Sequence, residues 1–151
     1  MHRRLPCCLV LLVFLTACEE KSAPPPTPST SASGRFDTAS LAEGATLYQA
    51  NCAQCHGPQA QGHPDWQTPS DGSFAAAPPL NGTGTDKQRS RAELRAAIAQ
   101  GRQRAQEPVM PAFAGRLSAR EMDAVMNYLQ SLWPPEVYAT WQAQQGASAP
   151  N

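Results

Sequence analysis

Two cysteines and a histidine stand close together in the stretch NCAQCHGPQAQGH. Cys52 and Cys55 are separated by two residues, and His56 directly follows the second cysteine. Thiol and imidazole groups at this spacing can bind zinc, exchange a disulfide, form a structural disulfide or attach a haem covalently. The rest of the chain must decide between these chemistries.

Zinc and disulfide exchange find little support elsewhere in the sequence. No second CxxC follows, so His63 or carboxylates would have to complete a zinc site. A thioredoxin-type pair needs a βαβ unit, whereas the chain after residue 36 has few β-branched aliphatic residues. A disulfide between Cys52 and Cys55 suits an exported protein but leaves His56 unexplained.

Covalent haem attachment accounts for the whole motif. The two thiols add to the porphyrin vinyl groups, and the adjacent histidine ligates the iron. The segment from Gly57 to Lys87 is rich in Gly, Pro, Asn and Asp, which predicts a long loop with few core residues. A haem would supply the apolar bulk that such a domain lacks. We therefore predict one covalent haem c, attached through Cys52 and Cys55 and ligated by His56.

A second iron ligand is expected on a segment that faces the haem from the other side. Met110 lies in EPVMPAF between two prolines, which favour an extended backbone, and we predict it as the distal ligand. Met122 and Met126 fall on the apolar stripe of a predicted helix and are interpreted as core residues. His63, on a Gly/Pro-rich loop soon after His56, is the alternative ligand.

Capping signals outline the elements that must position these residues. Three Ser-x-x-Glu boxes precede segments with apolar residues at helical spacing. A fourth short helix is predicted in EVYATWQAQ, after two prolines. We expect an all-α domain of about four short helices with long irregular loops. The boxes are Ser40 with Glu43, Ser90 with Glu93, and Ser118 with Glu121.

The segment from Ser40 to Trp133 resembles bacterial class I monohaem cytochromes c. GATLYQANCAQCHG is similar to their lead into CxxCH, and MPAFAGRLSAREMDAVMNYLQSLW resembles their distal loop and last helix. APPLNG resembles the turn whose proline, here Pro78, accepts a hydrogen bond from the haem-ligating histidine. The resemblance implies the cytochrome c fold, with helices wrapped around one haem that His56 and Met110 ligate.

The same resemblance implies that the first helix crosses the last one of the domain. Gly44 and Tyr48 would lie against Val125 and Tyr128, because glycine permits close approach of two backbones.

Two segments depart from the shortest members of that family. HPDWQTPSDGSF is longer, and its Trp66 and Phe74 are expected only to pack on the haem side. Residues 134–151 extend past the usual end, either as a strap carrying Trp141 or as a frayed tail.

Ligation by histidine and methionine leaves no open iron position for substrate. We therefore expect an electron carrier rather than an enzyme, and the soft thioether ligand favours ferrous iron. If the Met110 bond to iron is weak, the alternative is an enzyme or sensor that binds peroxide, nitric oxide or carbon monoxide.

The N-terminus predicts export and lipid anchoring. Residues 1–17 have the basic and apolar regions of a signal peptide, and LTAC resembles a lipobox that ends at Cys18. Residues 18–36 are Pro/Ser/Thr-rich and predict a disordered tether, followed by the cytochrome c domain at 37–151. We expect a haem domain in the periplasm, anchored to a membrane through lipidated Cys18. An ordinary cleaved signal with a free Cys18 is the alternative.

The charge pattern bears on the partners. The chain has 12 basic and 12 acidic side chains, a balance without the footprint of a nucleic-acid-binding protein. Six basic residues fall between Lys87 and Arg104, which favours either a solvated helix face or a docking patch for an acidic redox protein. We expect a monomer whose partners are redox proteins.

Overall fold

The computed structural model describes residues 34–68, 76–104 and 106–147. These residues form five α-helices, one 3₁₀ turn and one β-hairpin. In chain order the elements are α1 (Thr38–Asn51), α2 (Ala53–His56), the 3₁₀ turn (Asp86–Gln88), α3 (Arg91–Gln100), β1 (Arg102–Arg104), β2 (Glu107–Met110), α4 (Ala119–Ser131) and α5 (Pro135–Ala147). No helix in the described ranges is long and apolar enough to cross a membrane.

The crossing of α1 and α4 is the main helix contact of the domain. A Cβ atom at Gly44 would overlap the carbonyl oxygen of Ala124 and lie 2.9 Å from the Cβ of Tyr128. The rings of Tyr48 and Tyr128 are fully buried, with centroids 5.6 Å apart. The predicted crossing is confirmed, although the backbone contact comes from Ala124, the residue before Val125.

Two of the three predicted capping boxes are confirmed. Ser90 and Ser118 each accept a hydrogen bond from the third backbone N–H of their helix, and the partner glutamate accepts one in return. The prediction at Ser40 is wrong, because α1 begins at Thr38 and the Asp37 carboxylate caps it, accepting from the Ser40 N–H at 2.8 Å. Aspartate is as good an N-cap residue as serine, so the helix begins one turn earlier than the predicted box.

The C-terminal extension is a strap rather than a frayed tail as far as Ala147. Trp133, Tyr138 and Trp141 are buried together, and the two tryptophan rings meet edge to face at 5.6 Å. The indole N–H of Trp141 donates to the Arg89 carbonyl at 2.8 Å. This bond ties α5 to the loop before α3.

The described domain begins earlier than residue 37. The Phe36 ring meets the Tyr138 ring at 5.6 Å, and the Arg35 guanidinium lies 4.3 Å from the centre of the Tyr138 ring. The sequence pattern places both residues in the tether, yet they contact α5.

The β-hairpin is a correction to the all-α prediction. Arg102 pairs with Met110 and Gln103 with Pro108, with an irregularity between the two pairs. Gly101 has a φ of 71°, and a Cβ there would overlap the Met110 carbonyl oxygen. The scarcity of β-branched residues argues against a sheet core but not against two short exposed strands, which need only a permissive turn and a close approach.

Candidate functional site

His56 ends the four-residue helix α2 and is buried, with 8% of its surface exposed. Its Nδ1 lies 2.8 Å from the Pro78 carbonyl oxygen. A carbonyl can only accept, so Nδ1 carries the proton and Nε2 keeps the lone pair that a metal needs. Burial lowers the pKa of His56 and so favours the neutral, ligating form.

The two cysteines differ in their surroundings. Cys52 is half-buried against the cluster of Tyr48 and Tyr128, and burial raises the pKa of its thiol to about 11. Cys55 is exposed, one helical turn later, and its N–H donates to the Cys52 carbonyl at 3.1 Å. Both thiols are free, so no disulfide joins them.

A cavity of about 660 Å³ opens beside this motif. Its volume falls within the range of about 300 to 1,000 Å³ that is usual for cofactor sites, and most of its lining is apolar. Cys55, His56 and Pro78 contribute to one part of the wall, whereas Cys52 is not among the lining residues. Apolar residues from the loop before the 3₁₀ turn, from α3 and from α4 complete the wall: Leu80, Leu94, Ile98, Met126 and Leu129.

Met110 reaches the same cavity from the end of β2. The extended backbone predicted for it is confirmed, and its side chain is half-buried. Met122 and Met126 are both buried in the core, as predicted. Met126 also lines the cavity, whereas Met122 packs with Phe113 and Leu117. The fold therefore brings two methionines and His56 to one cavity.

Two buried polar side chains of the wall were missed by the sequence reasoning. The Asp86 carboxylate accepts from the Gly82 N–H at 3.0 Å, and burial raises its pKa. The Gln130 carbonyl accepts from the Arg91 guanidinium at 2.7 Å. Gln130 could have been noticed as a polar residue on the apolar stripe of α4, but nothing in the local pattern distinguishes Asp86.

Trp66 is not found at the cavity where it was expected to pack. Trp66 is half-buried and is not among the residues that line the cavity, whereas Trp133 is. His63 also lies outside the lining, and its Nδ1 accepts from the Asp65 N–H at 3.1 Å. Phe74 and Cys18 fall outside the described residues.

The donor set at this cavity fits a haem. An imidazole with a free lone pair, a thioether and an adjacent thiol line an apolar space of suitable volume, and the second thiol is one helical turn away. The part of the chain that the structure describes contains no group of three or more His, Cys, Asp and Glu side chains that could hold a metal ion.

One comparison with known proteins identifies a family. The family model described as cytochrome C oxidase, cbb3-type, subunit III matches residues 39–129, which is more than half of the chain. No curated protein and no solved structure gives a significant match.

Proposed function

Because the chain belongs to this cytochrome c family, which implies haem c binding and supports haem-based electron transfer, we propose that it is a one-electron carrier with a single haem. Cys52 and Cys55 hold the porphyrin through two thioether bonds, and His56 and Met110 ligate the iron.

The observation that carries the proposal is the meeting of His56 and Met110 at one apolar cavity. The Pro78 carbonyl fixes the tautomer and the ring orientation of His56, as partners of metal-bound histidines commonly do. Met110 is the last residue of β2, and its pairing with Arg102 of β1 fixes the position of its backbone at the cavity.

A bound haem c supplies one-electron ferric and ferrous chemistry. His56 and Met110 would hold the iron and leave no open position for a further ligand, and the thioether and the apolar wall would stabilise the ferrous state. This arrangement suits electron transfer better than catalysis. The alternative is an enzyme or gas sensor, in which the Met110 bond to iron would be weak.

The decisive experiment compares three methionine variants of the haem-loaded protein. We expect Met110→Leu to abolish the methionine-sulfur to ferric-iron band of the oxidised spectrum and to lower the reduction potential. Met126→Leu is the matched control, because Met126 also lines the cavity, and Met122→Leu is a control outside it. Both controls should keep the band.

Other outcomes would redirect the assignment. Loss of the band in Met126→Leu alone would transfer the ligand role to that residue. A high-spin spectrum of the unmodified protein that changes on addition of carbon monoxide would support the enzyme or sensor instead. A purified protein without covalently retained haem would exclude both functions.

We further propose that the carrier is tethered in the cell envelope by lipidated Cys18, with the haem domain in the periplasm. The support is the lipobox-like LTAC and the Pro/Ser/Thr-rich segment that follows. A tether restricts the carrier to the membrane surface and raises its effective concentration near membrane-bound partners.

A further inference from the structure

The mouth of the cavity is formed by those lining residues that are also exposed. They come from the end of α1, from α2, from both strands of the hairpin and from the loop after it. We call this set the rim: Ala50, Gln54, Cys55, Arg102, Val109, Pro111 and Arg116.

The charge of the rim has one sign. Arg102 and Arg116 are its charged members, and it contains no carboxylate. Asp86 is the only carboxylate in the described lining of the cavity, and it is buried in the wall with 5% of its surface exposed. The exposed Glu93 on α3 and Glu107 on β2 are not lining residues, although Glu93 lies close enough to Arg102 for the two charges to interact. The exposed part of the lining therefore carries only positive charge.

The six basic residues between Lys87 and Arg104 do not all have the same surroundings in the structure. Arg91 and Arg95 each lie 3.7 Å from the Asp123 carboxylate on α4. Arg91 also donates to Gln130 and Asn127 on that helix, at 2.7 and 2.8 Å. These two arginines stabilise the packing of α3 on α4, whereas Arg102 belongs to the rim.

The remaining rim is apolar where it meets the proposed iron ligand. Val109 is the one large hydrophobic residue that is strongly exposed in the described parts of the chain, at 41%. It precedes Met110, and the exposed Pro111 follows. An isolated exposed valine carries little meaning, but this one shares the mouth of the cavity with two arginines, a residue type that is enriched at protein interfaces.

We propose that the rim is the docking surface for a redox protein with an acidic patch around its own electron-transfer site. Val109 and Pro111 form the apolar centre, and Arg102 and Arg116 face the partner's carboxylates. The Arg116 guanidinium is held 4.9 Å from the centre of the Phe113 ring, which limits its freedom before docking. This inference rests on the proposed function, because it places electron transfer at this mouth.

The experiment measures oxidation of the ferrous, haem-loaded protein by two small oxidants of opposite charge. One electron passes from the ferrous protein to ferricyanide, an anion, or to tris(phenanthroline)cobalt(III), a cation. We expect the ferricyanide rate to fall with rising salt and the cobalt rate to rise, since opposite charges attract and salt screens them.

Charge reversal localises the effect. Arg102→Glu and Arg116→Glu should each slow ferricyanide at low salt by roughly threefold or more and speed the cobalt complex. Arg120→Glu is the control with the same charge change, because Arg120 lies on α4 outside the lining and pairs with Glu43.

A small acidic blue-copper protein serves as a second oxidant. Its reduction should be slower with the two rim variants than with the control. The double variant Val109→Ser, Pro111→Ser should also slow electron transfer to the blue-copper protein, but the salt dependence of that rate should stay the same.

The outcomes separate the two proposals. If the oxidants react but Arg120→Glu has as large an effect as the rim variants, or if the salt dependences are reversed, the docking surface is elsewhere. If the unmodified protein holds no reducible haem, the proposed function itself fails. The spectrum and the reduction potential of each variant are compared with those of the unmodified protein. Unchanged values mean that a slower rate comes from docking and not from an altered iron site.

Discussion

At the scale of single residues, Asp86 has the most unusual electrostatic surroundings in the cavity wall. Its side chain is buried, and only one of its oxygens has a hydrogen-bond partner in the structure. Burial disfavours the charged form, so the pKa of this carboxyl lies above its ordinary value despite the nearby Lys87 and the Gly82 N–H.

The raised pKa predicts how stability changes with pH. Between the unfolded and the folded pKa of Asp86, the folded protein holds more protons than the unfolded chain. The free energy of unfolding should therefore fall as pH rises from about 4 through the folded pKa. Asp86→Asn stays neutral and still accepts from Gly82, so it should lose less stability over this window.

Urea unfolding of the haem-loaded protein at a series of pH values tests this expectation. Glu136→Gln, which removes an exposed carboxylate on α5, is the control and should parallel the unmodified protein. If the curve for Asp86→Asn also parallels that of the unmodified protein, burial does not raise the pKa of Asp86.

At the scale of elements, the crossing of α1 and α4 fixes the position of α1, which leads directly into Cys52 and α2. Gly44→Ala would place a methyl group against the Ala124 carbonyl, and backbone cannot move aside as a flexible side chain can. Overpacking of this kind costs about 1 to 3 kcal/mol. Thermal or urea unfolding should show this loss. Gly34→Ala, where a Cβ meets nothing within 4 Å, should leave stability nearly unchanged. Equal stabilities of the two variants would contradict the close crossing.

Helix α5 braces the loop that carries Arg89, a residue of the cavity wall. Trp141→Phe keeps an aromatic ring but leaves the Arg89 carbonyl without its indole donor, which costs about 1 to 3 kcal/mol if the group stays buried. Urea unfolding measures the loss. Thr140→Ala on the exposed face of α5 serves as the control and should change little. A larger loss for Thr140→Ala would show that α5 packs on another face.

At the scale of the whole molecule, the described residues form three buried clusters around the cavity. They centre on Tyr48 and Tyr128, on Phe113 and Met122, and on Trp133 and Trp141. Residues packed in or against each cluster also line the cavity, among them Leu80, Phe113 and Trp133. A haem in the cavity would therefore join three small cores into one.

The proposed lipid anchor makes a prediction for the complete chain. Cys18→Ala should move the protein from the membrane to the soluble fraction with its haem and spectrum intact, because the tether would lose its acyl chains. Fractionation followed by haem staining measures this. A matched Cys7→Ala variant should stay in the membrane fraction, since Cys7 is removed with the predicted signal. Retention of Cys18→Ala would mean that something other than acyl chains on Cys18 holds the protein at the membrane.

The candidate donor set and two of the helix starts can be read from the sequence alone. Both are local patterns: covalent attachment demands CxxCH spacing, and a capping box is closed within four residues. The extended backbone at Met110 was equally local, because neighbouring prolines restrict it.

Which distant residues share the cavity depends on tertiary contacts that no local pattern predicts. The burial of Asp86, the place of Met126 in the wall, the docking of Trp141 on the Arg89 loop and the basic rim all depend on chain segments far apart in the sequence. The hairpin belongs here too, since its two short strands are set by backbone pairing between Arg102 and Met110 rather than by residue type.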